Sequence, residues 1–157
     1  TYFSFGDPSQ GYLRYREDHF VKRNGEVEKV RSRLTLIGEK DESAIDDRII
    51  LSRSRFIAPA TQSFRFYREY FKPTEEIEIE KDRLRFLVRF HGTEFYVNLD
   101  TMVVPDLGMY LEIKSRTWSQ RDAEAKSMMI SDLLEYLGAS SQESQNIDYI
   151  QMAEASK

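Results

Sequence analysis

Cysteine is absent from the 157 residues of the chain, and histidine occurs only twice, as His19 and His91. The absence of cysteine excludes disulfides, thiolate catalysis and Cys-ligated zinc. Neither histidine has a second one at metal-ligand spacing, so a His-rich metal site and a Ser-His-Asp triad lack their residues. Any metal that this chain binds is therefore expected to be a hard cation held by oxygen atoms.

The sequence also lacks an apolar run of 18 residues and a basic segment followed by an apolar stretch at its start. Nothing in it marks secretion or membrane insertion, so we expect a cytoplasmic protein that does not bind membranes. The net charge of -4 argues against nucleic acid as a partner. The chain begins at Thr1 without an initiator methionine, which predicts a fragment or excised domain, either fused to an upstream domain or assembled as a homo-oligomer.

Charge and aromatic rings are what the sequence has in abundance. Charged residues make up 32% of the chain and aromatic residues 13%. Aromatic side chains each bury roughly 150 to 250 Å², which argues against intrinsic disorder. At this length we expect a single domain over residues 1–157, with a highly charged, solvated surface around a small hydrophobic core.

The hydrophobic pattern changes near Ser119, from the alternation typical of strands to the spacing of a helix. It predicts an α+β domain with antiparallel strands. Turn-forming residues around Asn24–Gly25 and His91–Gly92 predict two hairpins. The predicted strands span residues 12–21, 30–37, 64–71, 77–90, 94–100 and 107–116.

Three helical or terminal segments complete the prediction. A capping-box pattern that begins at Ser119 predicts a helix over 121–137, which Gly138 ends. A short helix is predicted over 41–51. Residues 139–157 are predicted to form a mobile tail, within which 147–150 is expected to dock as a last short segment.

Bases concentrate on one face of the predicted strands, although the chain is acidic overall. Side chains alternate across a strand, so the chemistry of its two faces can be separated. A solvated sheet face is the ordinary explanation of such charges, but it predicts a mixture of both signs. Because a guanidinium matches phosphate oxygens in geometry and stays charged, the pattern favours a polyphosphate site. The residues assigned to it are Arg14, Arg16, Arg31, Arg33, Lys81, Arg83, Arg85 and Lys114.

Five short motifs, taken in order, resemble the CYTH domain, the superfamily of triphosphate tunnel enzymes that includes class IV adenylate cyclase and thiamine triphosphatase. Thr1-Tyr-Phe, followed by Leu13-Arg-Tyr-Arg16, is similar to the family's TYFDTPD and LRLR segments. The resemblance extends to about Gly138 and covers most of the chain. The other matches are LTLIG at 34–38, KDR at 81–83, VNLD at 97–100 and LGMYLEIK at 107–114.

The resemblance implies an antiparallel β-barrel with flanking helices, open at both ends as a tunnel. It also implies a triphosphate-containing small molecule as the partner, bound together with Mg²⁺ or Mn²⁺. In the positions that match, Arg14, Arg16, Lys81 and Arg83 would grip phosphate oxygens. Glu112 would ligate the metal, and Asp100 would lie near it or support a basic residue.

Three departures from the family pattern leave the function open. The family's N-terminal ExExK strand is absent before Thr1, Ile37 replaces a lysine, and Lys114 replaces a glutamate that could ligate metal. Alternating glutamates at 76–80 superficially match the missing strand, but they follow the other motifs, and we expect a solvated edge strand there. The alternatives are a metal-dependent triphosphatase, a non-catalytic phosphate- or nucleotide-binding regulatory module, and a binder of nucleic-acid ends.

Overall fold

The computed structural model of the chain describes residues 1–7, 11–38, 54–139, 144–145 and 147–157. These residues divide into two compact units, of which the first ends at Glu78 and the second begins at Ile79. The helix predicted over 41–51 lies outside the described residues.

The first unit is a five-stranded antiparallel sheet with one helix. Its strand order is β4-β3-β2-β1-β5, which places β5 at an edge, as expected for the glutamate-rich segment. The hairpin predicted around Asn24–Gly25 is confirmed, because Gly25 adopts a positive φ of 85° between β2 and β3. The elements are β1 (Tyr2–Ser4), β2 (Tyr12–Val21), β3 (Val27–Ile37), β4 (Ser54–Pro59), α1 (Phe64–Phe71) and β5 (Glu75–Ile77).

The prediction of a strand over 64–71 is wrong, because this segment forms helix α1. Ser63 caps the helix by accepting a hydrogen bond from the backbone N–H of Phe66. Phe64 and Tyr67 lie three residues apart and therefore share the helix face that packs on the sheet. The strand prediction followed the high aromatic content and overlooked the period of the pattern.

The core of the first unit lies between α1 and one face of the sheet. Phe3, Tyr15 and Tyr67 are its buried residues, with Phe64 stacked on Phe3 at a centroid distance of 5.8 Å. The hydroxyl of Tyr67 accepts hydrogen bonds from two backbone N–H groups of the segment before α1. One sheet face is thus apolar, and the opposite face is left to the charged side chains.

The second unit is a three-stranded antiparallel sheet with two helices. The strand order is β6-β7-β8, and β6 and β7 form the predicted hairpin through His91 and Gly92, both at positive φ. The prediction of one strand over 77–90 is wrong, because Ile77 pairs with Tyr2 in the first sheet and β6 begins at Glu80. The elements are β6 (Glu80–Phe90), β7 (Thr93–Val104), β8 (Gly108–Lys114), α2 (Gln120–Tyr136) and α3 (Tyr149–Ala155).

Helix α2 covers the apolar face of this sheet. Phe95, Val97 and Leu133 form the buried cluster, and Ile130 packs against it. The helix predicted over 121–137 is confirmed to within one residue at each end, and Ser119 caps it. Within the segment predicted to be a mobile tail, the structure has helix α3, in which Ile150 and Ala153 are buried.

The predicted α+β class with antiparallel strands is confirmed. The described strands form two hydrogen-bonded sheets, one of five strands and one of three. Among the described residues, none of the helices has the length and apolar character needed to cross a membrane.

Candidate functional site

The charged face of the β6-β7-β8 sheet brings the bases and carboxylates of the second unit together. Arg83 stands opposite Asp100 in the strand register, and Arg85 stands opposite Asn98. Asn98 in turn stands opposite Glu112 on β8. We call this group the Asp100 cluster. Its members are Lys81, Arg83, Arg85, Asn98, Asp100, Glu112 and Lys114.

Asp100 is the fully buried centre of the cluster. Arg83 donates through Nε to Oδ1 at 2.6 Å and through Nη2 to Oδ2 at 2.5 Å, which makes the contact bidentate. Lys81 donates to Oδ2 at 2.9 Å, and the hydroxyl of Tyr149 donates to the same oxygen at 2.7 Å. Both oxygens of the carboxylate are therefore occupied by donors, two of which carry positive charge.

Glu112 is the second carboxylate of the cluster, and bases also surround it. Nη2 of Arg83 and Nδ2 of Asn98 donate to its Oε2, at 2.7 and 3.0 Å. The ammonium of Lys114 lies 2.8 Å from Oε1. Arg83 thus joins the two carboxylates, which fixes its guanidinium between β7 and β8.

The surroundings lower the pKa values of both central groups, but for different reasons. Burial alone would raise the pKa of Asp100, but the hydrogen bonds from Arg83, Lys81 and Tyr149 outweigh it and hold the pKa far below its usual range. Burial lowers the pKa of the Lys81 ammonium to about 8, against the raising effect of its bond to Asp100. The cluster as a whole sets four bases, Lys81, Arg83, Arg85 and Lys114, against two carboxylates, which is a formal excess of two positive charges.

Tyr149 of α3 is a member of the site that the sequence analysis did not identify. Its ring lies under the Lys81 ammonium at 3.8 Å, and it meets the ring of Tyr110 edge-on at 5.8 Å. The capping box formed by Asp148 and Gln151 was a sequence signal for α3, although it could not show where the helix packs.

The first unit has a comparable group of bases on the charged face of β2 and β3. Asp18 accepts hydrogen bonds from Arg16 at 2.5 Å, Arg31 at 3.2 Å and Arg33 at 2.9 Å. Asp18 was also not identified from the sequence, although its spacing of two residues from Arg16 places it on the same strand face. We call Arg14, Arg16, Asp18, Arg31 and Arg33 the Asp18 cluster.

Arg14 differs from the other bases of the Asp18 cluster, since its guanidinium hydrogen-bonds hydroxyl groups and not Asp18. Its guanidinium donates to Tyr2 and to Thr35, each at 3.4 Å. Within the described residues, Nε of Arg14 is buried and has no hydrogen-bond partner, and the same holds for Nε of Arg33. A buried guanidinium nitrogen without an acceptor is costly, because it has lost its hydration without gaining a hydrogen bond.

The eight bases predicted to bind phosphate therefore fall into two groups. Arg14, Arg16, Arg31 and Arg33 share one face in the first unit, and Lys81, Arg83, Arg85 and Lys114 share one face in the second. Comparisons of the chain with protein-family models, curated proteins and solved structures find no match. The CYTH resemblance stays a prediction.

The described residues do not fit the Mg²⁺ or Mn²⁺ ion that the resemblance implies. The expected ligands, Asp100 and Glu112, already accept hydrogen bonds from bases on all four of their carboxylate oxygens. A divalent cation needs those oxygens at about 2.0 to 2.1 Å and would be repelled by the bases that now hold them. In the part of the chain that is described, groups of three or more potential metal-ligating side chains are absent.

Proposed function

We propose that the chain binds a triphosphate-bearing small molecule and that the Asp100 cluster supplies the contacts to its phosphates. One observation carries the proposal: in a chain with a net charge of -4, the Asp100 cluster holds four bases against two carboxylates on one sheet face. Buried Asp100 holds Arg83 and Lys81 in place, which leaves the more exposed bases to meet a ligand. Positive charge preorganised in this way favours the binding of an anion that carries several negative charges.

Arg85 and Lys114 are the bases of the Asp100 cluster most open to a ligand. Both are exposed, and the Lys114 side chain retains 56% of its accessible surface. Among the described residues, Arg85 hydrogen-bonds Asn98 through Nε, and its other guanidinium nitrogens remain free for phosphate oxygens. The two residues lie two strands apart and are offset by two residues along the strands, so their backbones are about 12 Å apart, which a chain of linked phosphates can bridge with long side chains at both ends.

Calorimetric titration of the folded chain with tripolyphosphate tests the proposal. A charge-assisted hydrogen bond contributes roughly 1.5 to 3 kcal/mol, so Arg85→Gln and Lys114→Gln should each weaken binding about 10-fold or more. Arg65→Gln is the matched control, because Arg65 is an exposed base on α1 outside the cluster, 3.9 Å from Glu69. Absence of heat with the folded wild-type chain, or equal affinities for all four proteins, would refute the proposal.

Between the alternatives left by the sequence, we propose a non-catalytic binding module over a triphosphatase. The support is chemical: a carboxylate that activates water needs a free oxygen, and those of Asp100 and Glu112 are held by bases. We expect no phosphate release from tripolyphosphate or nucleoside triphosphates at protein concentrations that saturate binding. Turnover that Glu112→Gln abolishes would favour the triphosphatase instead.

The closed barrel implied by the CYTH resemblance belongs to the same proposal. It is supported by the alternation on both sheets, each of which has one base-rich and one apolar face. If the bases line one tunnel, Arg14→Gln and Lys114→Gln should weaken the same binding event at a stoichiometry of one. Two separate events, each affected by one variant, would contradict the barrel.

A further inference from the structure

We infer that the Asp100 cluster binds polyphosphate without a divalent cation, because its own ammonium and guanidinium groups occupy the positions that a metal would need. This inference rests on the proposed function and specifies its ionic requirement. It concerns how the phosphate charge is neutralised, which is the role that a magnesium ion plays in many phosphate-binding sites.

Asp100 is closed to a metal by its position as well as by its partners. The carboxylate is fully buried, and the Arg83 guanidinium opposite it in the register contacts both oxygens. Lys81 and the Tyr149 hydroxyl converge on Oδ2 from β6 and α3. A cation could reach Asp100 only by displacing these donors, and it would then lie beside two unpaired positive charges.

Glu112 is the more accessible carboxylate, since 23% of its side-chain surface is exposed. Its Oε2 is still held by Arg83 and Asn98, so a metal would have to compete with Lys114 for Oε1. Lys114 lies two residues from Glu112 on the same face of β8. Its ammonium therefore has a high effective concentration at Oε1, which a free metal ion lacks. The Lys114 ammonium can turn toward a phosphate oxygen and bind it directly without leaving the cluster. A glutamate at position 114 would repel the phosphate and could bind it only through a metal ion.

The consequence is a binding reaction in which magnesium competes with the protein. Mg²⁺ that binds tripolyphosphate in solution lowers the charge of the anion, and this weakens its attraction to a cluster with a formal excess of two positive charges. Binding should therefore be at least as tight in EDTA as in millimolar MgCl₂ at matched ionic strength.

Calorimetry with tripolyphosphate in the two buffers tests the inference on the full chain. Equal or tighter binding in EDTA supports it, and weaker binding in EDTA than in MgCl₂ overturns it while the proposed function stands. No heat in either buffer overturns the proposed function and this inference together. Titration of MgCl₂ alone into the chain should give no binding heat, and saturable heat that Glu112→Gln abolishes would also overturn the inference.

Substitution of Lys114 provides the decisive pair of variants. Lys114→Glu removes the cation from Glu112 and places a second carboxylate on the same strand face, so binding in EDTA should be lost and MgCl₂ should restore it. Lys114→Gln removes the charge without adding a ligand and should weaken binding by the same factor in both buffers. Unchanged binding of Lys114→Glu in EDTA would show that Lys114 does not replace a metal. Circular dichroism confirms that each variant is folded.

Discussion

Removal of the Asp100 charge should destabilise the second unit strongly. In Asp100→Asn, the new amide nitrogen faces donors from Arg83, Lys81 and Tyr149, and the Lys81 ammonium loses its counter-ion. Loss of one partner from a buried ion pair costs about 3 to 5 kcal/mol. Arg83 keeps its contact with Glu112, so the lower end of this range applies. A cost of about 3 kcal/mol is a large part of the 5 to 15 kcal/mol that stabilise a typical domain.

Urea unfolding followed by circular dichroism measures this loss. In thermal unfolding, each kcal/mol of lost stability lowers the melting temperature by about 4 °C. The melting temperature of Asp100→Asn should therefore fall by roughly 12 °C or more. The matched control is Asp106→Asn, which makes the same chemical change at an exposed loop position between β7 and β8 and should change stability by less than about 0.5 kcal/mol. A loss below about 1 kcal/mol in Asp100→Asn, with an unchanged denaturant slope, would refute the role assigned to the buried carboxylate.

Three further perturbations have defined outcomes. Tyr149→Phe removes one hydrogen bond to a charged group and should cost about 1.5 to 3 kcal/mol in urea unfolding, and a cost near zero would show that the Tyr149 hydroxyl does not hold α3 on the cluster. Because folding lowers the pKa of Lys81 from 10.5 to about 8, the unfolded chain binds more protons between these values, so the Lys81 contribution to the free energy of unfolding should rise with pH in this window. Lys81→Gln should remove that rise, and an identical pH profile for variant and wild type would contradict it. Leu133→Ala should cost about 2 to 5 kcal/mol because Leu133 fills the core between α2 and the sheet, whereas Met128→Ala, at an exposed position on the same helix, should leave the urea midpoint nearly unchanged.

Local patterns in the sequence were sufficient for much of the second unit. The alternation of apolar and charged residues fixed which face of β6 carries Arg83 and Arg85, and the turn at His91–Gly92 fixed the pairing of β6 with β7. The Ser119 cap and the helical spacing after it gave α2 nearly to the residue. These features depend on neighbours a few residues apart, which is the range over which periodicity and turn chemistry are informative.

Features that depend on residues far apart in the chain could not be predicted from local sequence patterns. The strand pairing of Ile77 with Tyr2 joins positions far apart in the chain, so the continuous apolar alternation through residue 77 concealed a change of sheet. Helix α1 was misread because aromatic residues favour strands on average, while the Ser63 cap and the three-residue spacing decide the local structure.

In the candidate site too, the features set by neighbouring residues were predicted and those set by distant residues were not. The predicted bases do lie on shared faces, but their partners could not be assigned from alternation alone. Tyr149 reaches Asp100 across 49 positions of sequence, and its role depends on how α3 packs. The shared use of Arg83 by Asp100 and Glu112 likewise depends on the register of three strands, which the sequence does not encode locally.

An experimental structure of the chain with tripolyphosphate bound in EDTA tests the central claim most directly. We predict phosphate oxygens within hydrogen-bonding distance of the Lys114 ammonium and the Arg85 guanidinium, with Arg83 still bidentate on Asp100. Tripolyphosphate bound away from the Asp100 cluster, or a cluster left unoccupied at saturating ligand, would contradict the claim.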